Sequence, residues 1–338
     1  MARQSDSGIG MLGLAALGLV AALAQRRDPR HRPAPPHPRR VAVARSAARA
    51  IMPATPSAAD VPAVSAAHIK AARRLNNSAG MLAASVLADS AVEHYRGSFH
   101  NPAMYAPLLS SLLTLAVSAH GVGDTRSGRH AARDAIYALA GLTGTVGTCF
   151  HLYNVTKRPG GVSWLNLFFG APLGAPFALA LAGLLGVTAE RVRGDHSGRV
   201  PNILGLPAGR AMAAVSGIGM LGTTAEASLL HFRGAYHNPA MFLPVTVPPV
   251  AAALLGETAL GRPATNRWVT RWWLRLTASL GFIGAALHAL GVARAMGGWR
   301  NWRQNVVDGP PLPAPPSFTA LALAGLAALR LLRDQSDD

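Results

Sequence analysis

The sequence predicts an all-α, polytopic membrane protein built from two tandem, parallel four-helix repeats. Three observations carry that prediction. Half of the 338 residues are apolar and only 14% are charged, against about 25% charged in an ordinary soluble domain. Eight apolar runs recur along the chain, at roughly 78–95, 102–120, 134–153, 171–190, 212–232, 239–260, 273–293 and 317–332; each approaches the roughly 17–25 residues a helix needs to cross a bilayer. Finally, one block is written twice, 137 residues apart: His94-Tyr-Arg-Gly-Ser-Phe-His-Asn-Pro-Ala-Met104 returns as His231-Phe-Arg-Gly-Ala-Tyr-His-Asn-Pro-Ala-Met241, identical at eight of eleven positions. The same offset pairs Asp89 with Glu226, Pro107 with Pro244, Gly144 with Gly281, Gly147 with Gly284 and His151 with His288. Such self-similarity at a fixed period marks a duplicated structural unit.

From the N-terminus, residues 1–25 hold a short apolar run (9–25), and 26–69 are rich in Arg and Pro. The second stretch has too little apolar surface to fold and reads as a disordered tail. A signal peptide carries its positive charge ahead of the apolar run. Here Arg26, Arg27, Arg30 and Arg32 follow it, which favours an uncleaved ninth helix. The repeats then cover 76–193 and 213–333, joined by a Gly/Pro/Arg-rich linker at 194–212. Four spans per repeat is an even number, so both halves enter the membrane alike. They are therefore expected to relate by a pseudo-twofold axis along the membrane normal, unlike inverted-repeat transporters.

The net charge of +17 raises the question of nucleic acid, and its distribution answers against it. Sixteen Lys and Arg fall in the loops on one side (among them Lys70, Arg74, Arg133, Arg193, Arg275 and Arg330) and seven on the other. The positive-inside rule puts the richer side in the cytoplasm of a bacterial inner membrane. Both ends of the core then lie inside and the two His-Asn-Pro hairpins outside. The single cysteine, Cys149, permits no internal disulfide.

Within each duplicated block, Gly97 and Gly234 stand where a helix ends in a left-handed residue. Asn101 and Asn238 are placed to cap the next helix, with Pro102 and Pro239 in its first turn. That geometry explains Gly, Asn and Pro, but not the histidines. His94, His151, His231 and His288 all lie near the outer ends of their spans, with His100 and His237 in the hairpins at the same level. Imidazole is the commonest metal ligand, and haem b held by two histidines is a known arrangement. The expected haem-binding pairs are His94 with His151 and His231 with His288. Gly144 and Gly147 share a helix face with His151, as Gly281 and Gly284 do with His288; they either let a flat group approach or pack helices. His100, His237, Asp89 and Glu226 are the expected ligands of a transition metal. Met104 and Met241 are alternative soft ligands.

Asp89 and Glu226 sit about two turns inside their helices, where a charge is costly and faces a cavity or a partner. No phosphate loop, dinucleotide fingerprint or zinc-protease motif occurs. The leading expectation is a haem- or metal-binding electron-transfer subunit working with a periplasmic oxidoreductase. A transporter or channel using Asp89 and Glu226, with helix breaks at Pro107, Pro244, Pro248 and Pro249, is the alternative. A structural or assembly protein, its histidines stapling the hairpins, is the second.

Overall fold

In hydrocarbon a backbone must satisfy its own hydrogen bonds, which for runs of this length means helices. The computed structural model follows that rule. It describes residues 66–195, 200–261 and 267–334, all within one compact unit, Val61–Asp338. The apolar run 9–25 and most of the Arg/Pro tail lie outside the described residues.

In the first half, α1 (Ala66–Arg96) leads through a 3₁₀ turn, Pro102–Tyr105, into α2 (Ala106–Gly123). Helix α3 (Ala131–Thr156), the short α4 (Trp164–Phe168) and α5 (Gly174–Arg193) follow. A two-residue ribbon comes next, β1 (Asn202–Ile203) antiparallel to β2 (Leu206–Pro207). Leu204 and Gly205 both take positive φ at its turn, which suits the twist of a tight hairpin. In the second half, α6 (Ala208–Arg233), a 3₁₀ turn at Pro239–Phe242, α7 (Leu243–Ala259) and α8 (Arg267–Arg294) repeat the order. A 3₁₀ turn at Gly298–Asn301, α9 (Trp302–Val307) and α10 (Pro316–Asp334) complete it.

Each half closes into a ring: α1 lies beside α2 and α5, which both flank α3, while α6 lies beside α7 and α10, which both flank α8. The halves meet where α10 runs along α1 and α5 touches α6. Four helices thus form the centre, with α2 and α3 on one flank and α7 and α8 on the other. Burial follows that order: 56% of the α5 segment and 67% of the α10 segment are buried inside the protein, against 17–22% in α2, α3, α7 and α8. The flanking helices expose Leu109, Leu142, Val146, Phe282 and Ile283. A continuous apolar surface of that size is a membrane-facing one.

Six helices are long and apolar enough to cross a membrane, namely α2, α3, α5, α7, α8 and α10. The fold is therefore that of a helical multi-pass membrane protein. The eight apolar runs read from the sequence include two more, in α1 and α6, which are not among the six. These helices carry Asp89, Glu93, Glu226 and Arg233 inside or at the end of their apolar stretches. Two boundaries also move. Helix α1 begins at Ala66, within the stretch read as a disordered tail, because Ala71, Ala72 and Leu75 bury one face in the same core as Ile203 and Ala208. Helix α6 begins at Ala208, inside the expected linker.

Candidate functional site

Helix α1 ends by two consecutive left-handed residues, and they are not the glycine. Ser98 (φ 56°) and Phe99 (φ 45°) reverse the chain, as do Ala235 (φ 53°) and Tyr236 (φ 47°) after α6. The expectation that Gly97 and Gly234 supply the left-handed residue is corrected. Their role is close approach: a Cβ on either would stand 3.0 Å from the methyl of Met104 or Met241. That contact gives the two methionines a packing role. Phe99 stacks on Tyr105 at 4.6 Å, and Tyr236 on Phe242 at 4.6 Å, so each hairpin keeps one Phe and one Tyr with the positions exchanged. Asn101 and Asn238 cap as expected, each Oδ1 accepting from an amide two residues on at 2.9 Å.

On this scaffold all six histidines make the same kind of bond. His94 Nδ1 donates to the carbonyl of Met104 (2.6 Å) and His231 Nδ1 to that of Met241 (2.8 Å). His100 and His237 donate to Gly97 and Gly234 (2.8 and 2.9 Å). His151 and His288 reach the turns before α5 and α10, donating to Pro172 (2.7 Å) and Pro311 (2.8 Å). A carbonyl can only accept, so each bond fixes the proton on Nδ1 and leaves Nε2 with a free lone pair. None of the six Nε2 atoms has a hydrogen-bond partner among the described residues.

The rings pair as the spacing predicts, and in one half they touch. His231 and His288 have centroids 6.5 Å apart with planes at 77°. His94 lies close enough to His151 for their charges to interact. His100 and His237 are exposed and join no ligand set. Among the described residues no group of three or more His, Cys, Asp or Glu is arranged to hold a metal ion.

The glycines on the histidine face settle as helix packing. A Cβ on Gly144 would overlap the backbone N of Ala180 and stand 2.6 Å from the carbonyl of Pro176; on Gly281 it would meet Thr319 and stand 2.8 Å from the carbonyl of Pro315. The α3–α5 and α8–α10 crossings fill that face, so no flat group enters there. Gly144→Ala is expected to cost about 1–3 kcal/mol of stability, read by unfolding in detergent. Gly256→Ala, where a Cβ meets open space, is the matched control and should lose nothing.

Asp89 and Glu226 face one another electrostatically, with Glu93 alongside. They differ in one bond. The amide of Gly174, at the start of α5, donates to Glu226 Oε1 at 3.3 Å, and a Cβ on Gly174 would overlap that carboxylate. The corresponding position before α10, 139 residues on, is Pro313, which has no N–H to give Asp89. Its carbonyl instead accepts from Ser85 Oγ on α1. The expected helix breaks are absent. Pro107 and Pro244 occupy first-turn positions, and α7 continues through Pro248 and Pro249.

A buried charge network at the opposite end of the first half was not anticipated. Arg133 forks onto Glu190 (2.9 and 3.0 Å) and reaches Asp124 (2.9 Å). Arg193 donates to the carbonyls of Asp124 and Gly121 (2.6 and 2.9 Å). Tyr137 joins Asn76 to Ser118 (2.7 and 3.1 Å), and His120 accepts from Arg133 at 3.3 Å. Burial opposes ionisation of Asp124, but hydrogen bonds from Arg133 and Arg126 outweigh it and hold the carboxyl below the usual carboxylate range.

No protein-family profile, no curated protein and no solved structure matches this chain. Function must be argued from the site itself.

Proposed function

We propose that the protein is an eight-span bacterial inner-membrane haem protein, built as two tandem four-helix repeats, that exchanges electrons with a periplasmic oxidoreductase. One haem b per half would sit between His231 and His288 and between His94 and His151, near the outer surface, with both ends of the core in the cytoplasm. The observation that carries this reading is the His231–His288 pair. With metal–imidazole bonds of about 2 Å, two rings ligating one ion from opposite sides have centres roughly 6 Å apart; these are 6.5 Å apart. Each ring is also oriented by an Nδ1–H bond to a backbone carbonyl, the usual support of a ligating histidine.

Haem suits the site better than a bare transition metal. The porphyrin brings its own equatorial ligands and asks the protein for two, whereas a metal ion held by side chains alone needs at least three. When bound, the group supplies one-electron chemistry; the chain's part is to present two neutral imidazoles at the periplasmic surface and exclude other ligands. Repetition of the hairpin bonds 137 residues apart supports an equivalent site in the first half.

The test is a visible spectrum of the detergent-purified protein, oxidised and after dithionite, with metal analysis of the same sample. A Soret band that moves on reduction, with a sharp α-band and iron near two per chain, is expected. A colourless, iron-free protein from cells supplied with haem overturns the reading. The transport alternative would then lead, on the meeting of Asp89 and Glu226 between the halves, with Asp89→Asn expected to stop flux.

A further inference from the structure

The end of the molecule away from the hairpins carries a second feature that the haem reading does not use. Arg74 on α1, Arg275 on α8 and Arg330 on α10 converge closely enough for the charges of Arg330 and Arg275 to act on Arg74. Arg74 and Arg275 are exposed and Arg330 is half-buried. Among the described residues no carboxylate pairs with any of them; the ion pairs engage Arg96, Arg126, Arg129, Arg133 and Arg193 instead. Three guanidinium groups brought together from three helices repel one another. An arrangement that gathers them without an acid is complete only when an anion joins it.

The surroundings say what kind of anion. Arg330 lies on α10, the helix that packs against both α1 and α8, so the three sit around one inter-helix groove. Beside Arg275 on α8, Trp268, Val269, Trp272, Trp273 and Leu276 line an open apolar groove, with Trp268 and Trp272 largely exposed. Tryptophan at this level marks the headgroup boundary of a membrane. The ligand should therefore have an anionic head and an apolar body. The counterpart positions in the other half are Ala211, Ala138 and Arg191, so the arginine cluster occurs once, not twice.

We propose that Arg74, Arg275 and Arg330 form a binding site for the phosphate headgroup of an anionic phospholipid of the inner leaflet, its acyl chain lying along the tryptophan-lined groove of α8. Basic pockets between helices on the cytoplasmic side are where such lipids dock. The site stands whether or not haem is bound.

The experiment compares binding of phosphatidylglycerol and phosphatidylcholine to delipidated protein in mixed micelles, counting bound lipid by native mass spectrometry. The wild-type protein is expected to hold one phosphatidylglycerol with strong preference. With about a factor of five per basic group near the surface, the triple variant Arg74→Gln, Arg275→Gln, Arg330→Gln should bind roughly 100-fold more weakly. The triple lysine variant should keep most of the preference, which separates loss of charge from loss of fold. Arg294→Gln with Arg300→Gln, at the hairpin end, should bind as wild type. Equal binding of phosphatidylcholine, or an unchanged glutamine variant, overturns the site. Displacement of the lipid by millimolar inorganic phosphate that itself binds equally well makes the ligand free phosphate and overturns the lipid assignment.

Discussion

His288→Asn is expected to abolish the bound chromophore of the second half while leaving the protein folded and monodisperse. The choice of asparagine matters because each histidine does two separable things. Its Nδ1–H fastens a turn, here the carbonyl of Pro311 at 2.8 Å, and an asparagine amide can place a donor near the same point. Its Nε2 lone pair has no such replacement, so the fastening survives and the ligand is lost. If the histidines only staple the fold, His288→Asn should leave spectrum and stability alike unchanged, and His288→Ala should lower stability. Under the haem reading the iron content of His288→Asn falls to about half, because the His94–His151 pair is untouched. His151→Asn should remove the other half, and the double variant all of it. His237→Asn is the internal control. That ring lies exposed in the hairpin and bonds only Gly234, so its replacement should leave the spectrum intact. A double variant of His151 and His288 that still binds stoichiometric iron would reject both assigned pairs.

Much of this site was legible in the sequence because a duplication repeats its constraints. Asn101, Pro102 and their copies announce helix starts through local chemistry, and the structure places them so. The shared depth of the histidines follows from helix rise alone. What was not legible depends on contacts distant in sequence. Nothing local says that Gly144 meets Ala180 and Pro176, so the glycine face was open to two meanings until the helix crossing decided it. The left-handed residues after α1 and α6 are Ser98, Phe99, Ala235 and Tyr236, where propensity favours glycine. There the stacking of Phe99 on Tyr105 and Tyr236 on Phe242, with the hydrogen bonds that close the turn, overrides local preference. Arg133, Glu190 and Arg193 sit at the ends of apolar runs and looked like solvated loop charges. Their burial becomes visible only when α3 and α5 are laid side by side.

Those three charges carry the other large expected effect, and here it is stability. Arg133 is 1% exposed and Glu190 and Arg193 are fully buried. Glu190→Gln keeps the shape and an acceptor for the His130 amide, but removes the charge that both guanidinium groups face. Breaking a buried pair in this way typically costs about 3–5 kcal/mol, since it leaves an uncompensated charge. A loss of that size should appear as a large fall in the unfolding midpoint in detergent. Asp124, held ionised by Arg133 and Arg126, works in the same direction. Its folded carboxyl titrates below the unfolded value, so its contribution is present above about pH 4 and is lost as pH falls further. The second half supplies the reciprocal test, because it fills the matching positions with Thr270, Leu329 and Leu332. Replacing the whole set together, as Arg133→Thr, Glu190→Leu and Arg193→Leu, should recover most of the loss seen with Glu190→Gln alone, because an apolar substitute has no charge to desolvate. A triple variant less stable than the single one would mean that the network fixes the loop at Asp124 through its backbone bonds more than through charge.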